Sequence, residues 1–330
     1  MRNFICILIL AELLTFNLQA HAWGRRGHSL ICQSAAYLAS QDQKTSEEPF
    51  FLKAHSFDLG YYCNVPDIIW KRPATYKKES FNHFMDLELF DKQIGPAVMK
   101  DQPSPFKLER VEFDEKFKDL PEKYGRAWWR IRELDAKLGE LTKKLKNTEL
   151  TSDQRKELQA EWLVVAGATG HYIGDLAMPL HVSENYDGQL TGQKGIHHHF
   201  EETVVDELFL QKRFGLQEAV YKKALGQWSS YKKKAKGKDL LDLVKELSRD
   251  SQKSIEPLLK IDKKNDRKNL EKSSSKYRDM IVDRLAKGVL LQAYFYQSHL
   301  GWDFEEKKFY NFIEAPAFIE TPKGPETKKK

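Results

Sequence analysis

The sequence has only three cysteines among 330 residues and lacks a glycine–proline repeat. The low cysteine count excludes a small disulfide-stapled protein, and 18 glycines are too few for a collagen-like chain. A hydrophobic share of 41%, with 12% aromatic residues, excludes a chain that is disordered throughout. The length allows one large domain or two smaller ones, each able to bury a core.

Basic residues only slightly outnumber acidic ones. The chain has 54 Lys and Arg against 48 Asp and Glu, a net charge of +6, and residues 321–330 hold four lysines and one glutamate. This composition permits a nucleic-acid partner without requiring one. We expect 321–330 to be a disordered basic tail that follows a single domain over 23–320.

Long hydrophobic runs are missing, except near the N-terminus. Residues 4–14 are mostly apolar and 20–22 read Ala-His-Ala, which is typical of a signal peptide cleaved after an A-x-A site. The run is shorter than the ~20 apolar residues of a membrane span, and Glu12 interrupts it, although an N-terminal anchor helix is the alternative. We therefore predict a signal peptide over 1–22. The mature protein would begin at Trp23 and be a secreted or periplasmic monomer with no transmembrane segment.

Cys32 and Cys63 remain after such a cleavage. They lack the C-x-x-C spacing of zinc and redox motifs, so in an oxidising compartment they would either form one disulfide bond or stay as buried free thiols.

Strand-like alternation is almost absent, and apolar residues instead recur in steps of three and four. This pattern is clear at Ile131, Leu134, Leu138, Leu141 and Leu145. Thr151 and Gln154 predict a capping box at the start of the next helix. Further helices are expected near 29–40, 240–255 and 275–299. The fold class predicted is therefore all-α.

Three charged segments interrupt these helices. The Pro-containing stretch 101–125 is predicted to be a surface excursion, and 260–272 a charged linker. Residues 232–238 contain five lysines, which form either a phosphate-attracting patch or a solvated connection. We favour the connection, because no aromatic residues alternate with the lysines to stack on bases.

Several catalytic motifs are absent: G-x-S-x-G, H-E-x-x-H and G-x-x-x-x-G-K-[ST] do not occur. Histidine and carboxylate pairs are present instead. His171 and Asp175 are four residues apart, so a helix would place them on one face, and His197 and Glu201 repeat this spacing. Pro179 would end the first helix and redirect His181 toward the same region. Imidazole and carboxylate groups together predict a zinc-type metal site and a hydrolytic reaction.

These residues, together with Trp23-Gly24-Arg25-Arg26-Gly27-His28, resemble the superfamily of zinc-dependent phospholipases C and single-strand-specific zinc nucleases. The resemblance implies an all-α fold, a single large helical domain around a cleft with three Zn²⁺ ions. It also implies that Trp23, once freed by signal cleavage, chelates zinc through its own α-amino nitrogen and carbonyl oxygen. By this resemblance the first zinc is held by Asp67, His83, His171 and Asp175, the second by His181, His197 and Glu201, and the third by Trp23, His28 and Asp175.

The nucleases and the phospholipases differ in their sequence patterns, and this chain shares features with each. The spacing from Trp23 to His28 resembles the nucleases, whereas Glu201 and its neighbours resemble the phospholipases. The nuclease pattern makes Phe84 a base-stacking residue and Asp86 a hydrogen-bond acceptor for the base. The alternative is a buried phenylalanine beside a helix-capping aspartate.

The nucleases also carry a basic residue three positions after the first zinc aspartate, where this chain has Trp70. Lys71 and Arg72 come next, and either could clamp a phosphate. The resemblance thus implies a nuclease that hydrolyses single-stranded DNA or RNA and 3′-phosphates, through a zinc-bridging hydroxide, with Asp67 accepting a proton. A phospholipase C acting on phosphatidylcholine-like lipids is the alternative, with Trp128 and Trp129 as interfacial anchors or as helix-core residues. A non-catalytic zinc-binding protein is a third possibility.

Overall fold

The computed structural model describes residues 23–41, 48–93, 109–116, 124–211 and 215–302. The predicted signal peptide and basic tail lie outside these ranges, as does much of the 101–125 segment. Within them every regular element is helical, and the only β-type pairing is an isolated bridge between Met85 and Gly125. The prediction of a single all-α domain is confirmed.

The described helices are numbered here in chain order. Those of the first half are α1 (Gly24–Ala39), α2 (Glu48–Ala54), α3 (Ser56–Tyr62), α4 (Tyr76–Ser80), α5 (Leu87–Gln93), α6 (Arg110–Lys116) and α7 (Ala127–Leu145). Those of the second half are α8 (Ser152–Ala177), α9 (Ile196–His198), α10 (Val204–Gln211), α11 (Gly215–Ala235), α12 (Leu240–Gln252), α13 (Ile255–Lys263) and α14 (Leu270–Ser298). Shorter helical turns lie between them: π-helical at Pro66–Trp70 and His199–Thr203, and 3₁₀ at Phe81–His83 and Pro179–Val182.

Helix α8 forms the centre of the domain. It packs against α1, α7 and α14, and α14 also packs along α1 and α11. Every residue from 166 to 177 is buried, as expected for a helix enclosed on all sides. The five apolar residues that predict α7 are all buried against this core.

The start of α8 is set by its sequence. The Thr151 hydroxyl accepts a hydrogen bond from the Gln154 amide at 3.3 Å, and the Gln154 side chain accepts one from the Thr151 amide at 3.0 Å. This reciprocal pair is the predicted capping box, which satisfies amides that a helix start leaves unpaired.

Two predictions about the charged segments need correction. Segment 260–272 is not one linker, because α13 continues to Lys263 and α14 begins at Leu270. Lysines 232–234 belong to α11, whereas Lys236 and Lys238 lie in the exposed connection between α11 and α12, as predicted. Lys234 and Lys238 both form ion pairs with Glu246 on α12, so this carboxylate partly neutralises the positive charge of 232–238.

Cys32 and Cys63 are buried, and so are the consecutive residues Trp128 and Trp129. Cys32 and Cys63 are free thiols with sulfur atoms 2.7 Å apart, so the structure has the free-thiol alternative rather than the disulfide. Trp128 and Trp129 are each 2% exposed and belong to the core, which excludes the interfacial-anchor interpretation.

None of the helices in the described ranges combines the length and the apolar character that a membrane crossing requires.

Candidate metal centre

Five predicted ligands meet around the buried half of α8. His171 and Asp175 lie one turn apart on this helix, and both are fully buried. Asp67 comes from the π-helical turn Pro66–Trp70, His83 ends the following 3₁₀ turn, and His28 projects from α1. The i, i+4 spacing therefore places His171 and Asp175 together, as predicted. The packing of other elements against α8 brings Asp67, His83 and His28 to them.

The ligand atoms of this first cluster are close enough to share ions. His171 Nε2 and His83 Nδ1 are 3.0 Å apart, and Asp175 Oδ2 lies 3.0 Å from His83 Nδ1. Asp67 Oδ2 is 3.7 Å from His171 Nε2. Each of the triplets Asp67–His83–His171 and His28–His171–Asp175 has ligand atoms within 4.8 Å of one another.

His28 lies on the other side of Asp175. Its ring stacks on His171 with centroids 3.9 Å apart, and its Nε2 is 3.4 Å from Asp175 Oδ1. Neither ring nitrogen of His28 makes a hydrogen bond, although both are buried. Buried polar atoms are nearly always satisfied, so this imidazole and the Asp175 carboxylate fit a metal ion between them.

A second cluster forms where the chain turns back after α8. That helix ends at Ala177, and Pro179 opens the 3₁₀ turn that carries His181. His181 Nε2 lies 3.1 Å from His197 Nε2, and Glu201 Oε2 is 2.9 Å from the latter. The redirection of His181 by Pro179 is thus confirmed. Neither oxygen of buried Glu201 has a hydrogen-bond partner.

Backbone carbonyls fix the tautomers of these imidazoles. His181 Nδ1 is 2.6 Å from the His83 carbonyl oxygen, and His197 Nδ1 is 2.8 Å from that of Tyr186. His171 Nδ1 is likewise 2.8 Å from the Cys63 carbonyl. Because a carbonyl only accepts, each Nδ1 must carry the hydrogen, which leaves the Nε2 lone pair pointing into its cluster when the ring is neutral.

Facing acceptors need a cation between them. In the second cluster His197 Nε2 lies 3.1 Å from His181 Nε2 and 2.9 Å from Glu201 Oε2, while His181 Nε2 is 3.7 Å from the same oxygen. An added proton or a metal ion between these three acceptors removes their repulsion. Neutral imidazole and carboxylate are the ligands that zinc prefers, and hydrogen bonds from the second nitrogen orient such ligands. The residues present therefore fit the implied zinc ions.

Burial and charge act in opposite directions on the ionisable groups. Burial lowers the pKa of His171 well below its ordinary value, against the opposing charges of Asp175 and Asp67. Burial alone would raise the pKa of Asp175, but the surrounding imidazoles outweigh it and hold that pKa well below the ordinary range. Burial likewise opposes ionisation of Glu201, yet His197 and His181 keep its pKa low. The carboxylates are therefore charged and ready to bind a cation.

Trp23 lies directly beside the first cluster. Its fully buried indole donates a hydrogen bond from Nε1 to the carbonyl of Gly174, the residue before Asp175, at 2.8 Å. Trp23 has φ of +52°, the only positive value among the described residues other than glycine. Such a conformation is costly for a bulky side chain and is typical of functional sites. The chelating role of its amine stays a prediction.

A cavity of about 540 Å³ opens onto both clusters. The ligands His83, His181 and His197 form part of its wall, and most of the remainder is apolar or aromatic. The other lining residues are Lys71, Tyr76, Ser80, Phe81, Phe84, Asp86, Leu89, Leu180, Glu184, Tyr186 and Gln189.

Lys71 and Arg72, the two residues predicted as phosphate clamps, differ in their positions relative to the cavity. Lys71 lines the cavity and its ammonium lies 2.7 Å from Asp67 Oδ1. Burial lowers the pKa of Lys71, but Asp67, with a smaller contribution from Asp175, raises it by more in total, so the group stays charged. Arg72 is exposed and does not line the cavity. Lys71 is therefore the better placed of the two.

Both predicted substrate residues face the cavity. Phe84 is half-buried and lines it, rather than being enclosed in the core. Asp86 is 9% exposed, and burial, together with the charges of Glu88 and Glu184, raises its pKa to about 8. When no metal is bound, Asp86 is thus mostly a neutral carboxyl at pH 7, able to donate as well as accept, whereas the sequence predicts an acceptor only.

The sequence did not reveal the groups that orient the ligands. The carbonyls of Cys63, His83 and Tyr186 carry no side-chain signal, so only the fold could identify them. Glu79 had a signal, because it precedes His83 by four residues, and its carboxylate lies 3.6 Å from His83 Nε2.

The chain matches no protein-family model, and no curated protein shows significant similarity to it.

Proposed function

We propose that this protein is a zinc-dependent phosphodiesterase that acts on single-stranded nucleic acid. The observation that carries the proposal is the cavity, whose wall combines three imidazoles of the two clusters with several aromatic rings. A substrate in this cavity touches the metal-binding residues and an aromatic surface together. The resemblance of the ligand pattern to the zinc nucleases and phospholipases supports the same reaction type.

Zinc ions held by these residues would supply a Lewis acid and lower the pKa of bound water at the phosphodiester. Asp67, His83, His171 and Asp175 would hold the first ion, His181, His197 and Glu201 the second, and Trp23, His28 and Asp175 the third. Lys71 adds a fixed positive charge at the cavity wall, which attracts the phosphate. Asp67 accepts a hydrogen bond from Lys71, which orients its other oxygen toward His171.

The cavity chemistry favours a nucleobase. Phe81, Phe84, Tyr76 and Tyr186 offer ring faces on which an unpaired base can stack. A neutral Asp86 carboxyl can exchange two hydrogen bonds with a base edge, since it is both donor and acceptor. Duplex bases hide these edges and faces, so single strands are the preferred substrate.

Phospholipase C activity is the second candidate, because Glu184 also lines the cavity beside aromatic rings. Aromatic rings with a carboxylate suit a quaternary ammonium headgroup. The raised pKa that Asp86 has when no metal is bound argues against this choice, since an uncharged carboxyl gives a cation little stabilisation.

We further propose that the chain is secreted after cleavage before Trp23. The position of Trp23 supports this, because its buried indole lies beside the first cluster. Its indole contact with Gly174 would remain and hold the new amine near Asp175.

The test compares initial hydrolysis rates on single-stranded DNA and on phosphatidylcholine vesicles, using zinc-loaded protein that begins at Trp23. His171→Ala should abolish hydrolysis, whereas His198→Ala, which changes a half-buried histidine outside both clusters, should keep the full rate. Cleavage of DNA alone is the expected result. Cleavage of lipid alone would support the phospholipase, and zinc binding without hydrolysis of either would contradict both enzymes.

A further inference from the structure

His83 differs from His171, His181 and His197 in what its outer nitrogen faces. His171, His181 and His197 each direct Nδ1 at a backbone carbonyl within 2.8 Å. His83 instead directs Nδ1 into the cluster, and its buried Nε2 has no hydrogen-bond partner. The nearest carboxylate oxygen is Glu79 Oε1, at 3.6 Å.

Glu79 is held firmly beside this nitrogen. It is 7% exposed, and Oε1 accepts a hydrogen bond from the Tyr172 hydroxyl. Oε2 accepts bonds from Asn82 Nδ2 at 3.0 Å and from Arg130 at 3.4 Å. Asn82 is fixed in turn by Arg110, at 2.6 Å. A carboxylate held from several sides cannot turn away from His83.

We propose that Glu79 is the positioning residue for His83 in the metal centre. This inference rests on the proposed zinc site. When Nδ1 takes a metal, Nε2 must carry the hydrogen, and Glu79 is the acceptor to which it points. The present separation exceeds a normal hydrogen bond by about 0.7 Å, so a small ring shift completes the contact.

Two effects follow from the contact. The carboxylate fixes the tautomer in which the Nδ1 lone pair faces the cluster, and its negative charge makes that nitrogen a stronger donor to the metal. A purely structural role for Glu79 would instead be to neutralise the two arginines. Glu133 already pairs with both, with Arg110 at 2.8 Å and Arg130 at 3.4 Å.

Glu133 supplies a matched control for the experiment. Glu79→Gln keeps the side-chain volume but removes the charge that faces His83. Glu133→Gln removes a charge from the same arginine network without touching any cluster residue. Both variants are titrated with zinc against a chromophoric chelator and with Co²⁺ followed by visible absorption, after thermal unfolding has shown that they are folded.

Glu79→Gln should weaken one zinc equivalent by about 10- to 100-fold and alter the Co²⁺ spectrum, while Glu133→Gln should bind like the unmodified protein. Unchanged affinity in Glu79→Gln, or equal losses in both variants, would overturn the inference. If Glu79→Gln does not fold, Glu79→Asp keeps the charge but withdraws it from His83, and should also weaken one equivalent. An unmodified protein that binds no zinc would contradict the proposed function, and this inference with it.

Discussion

Asp86→Asn should change how stability depends on pH. Burial and the nearby charges of Glu88 and Glu184 raise the pKa of Asp86 to about 8 in the folded protein. In the unfolded chain the same carboxyl titrates near ~3.9. Between these values the folded protein keeps a proton that the unfolded chain releases, so the free energy of unfolding falls as pH rises from about 4 to 8.

The size of the effect follows from the separation of the two pKa values. About four pKa units at 1.36 kcal/mol each amount to roughly 5 kcal/mol lost over this window. The loss is complete above pH 8, where both states are ionised. Asparagine cannot ionise and resembles the neutral carboxyl in shape, so Asp86→Asn should escape the loss. The two proteins should be similarly stable at pH 4.5 and differ by several kcal/mol at pH 8.

Urea unfolding in the presence of a chelator, at pH values from 4.5 to 8.5, measures this difference without the charge of bound metal. Glu184→Gln is the control, because removing that neighbouring charge lowers the pKa of Asp86 and should reduce the pH slope in part. Parallel pH profiles for Asp86→Asn and the unmodified protein would refute the neutral state of Asp86. They would also remove the argument that its carboxyl suits a base better than a cation.

The remaining predictions concern helix termini, packing and maturation. Thr151→Ala removes the capping box of α8 and should lower the free energy of unfolding by about 1 kcal/mol in urea, and no change would contradict the capping role. Gly170→Ala places a methyl group 2.2 Å from Cys32 Sγ and should cost about 1–3 kcal/mol, whereas Gly226→Ala, in open space on α11, should gain up to about 1 kcal/mol. A protein that keeps one residue before Trp23 should bind two zinc ions rather than three by metal analysis, and a full complement would contradict the role of its amine.

Local spacing was enough to predict much of the fold. The steps of three and four in α7 and the Thr151–Gln154 box each describe a single helix, and both predictions are confirmed. The helix boundaries in the charged segments 232–238 and 260–272 were predicted less accurately, because composition does not show where a helix ends. Lysines 232–234 continue α11, and Lys234 pairs with Glu246 on a neighbouring helix.

The candidate site was predicted where its chemistry is carried by side chains at fixed spacing. His171 with Asp175, and His197 with Glu201, lie together as their four-residue separation requires. The orientation of the rings could not be predicted, because backbone carbonyls from distant residues determine it. The neutral state of Asp86 also depends on burial and on Glu184, which is far from it in sequence.

The central claim is that the converging imidazoles and carboxylates hold metal ions. Crystals of protein that begins at Trp23, grown with zinc, can be measured above and below the zinc absorption edge. Anomalous peaks are expected between His181, His197 and Glu201, and on both sides of Asp175. A zinc-loaded crystal without a peak between the facing Nε2 atoms of His181 and His197 would contradict the account.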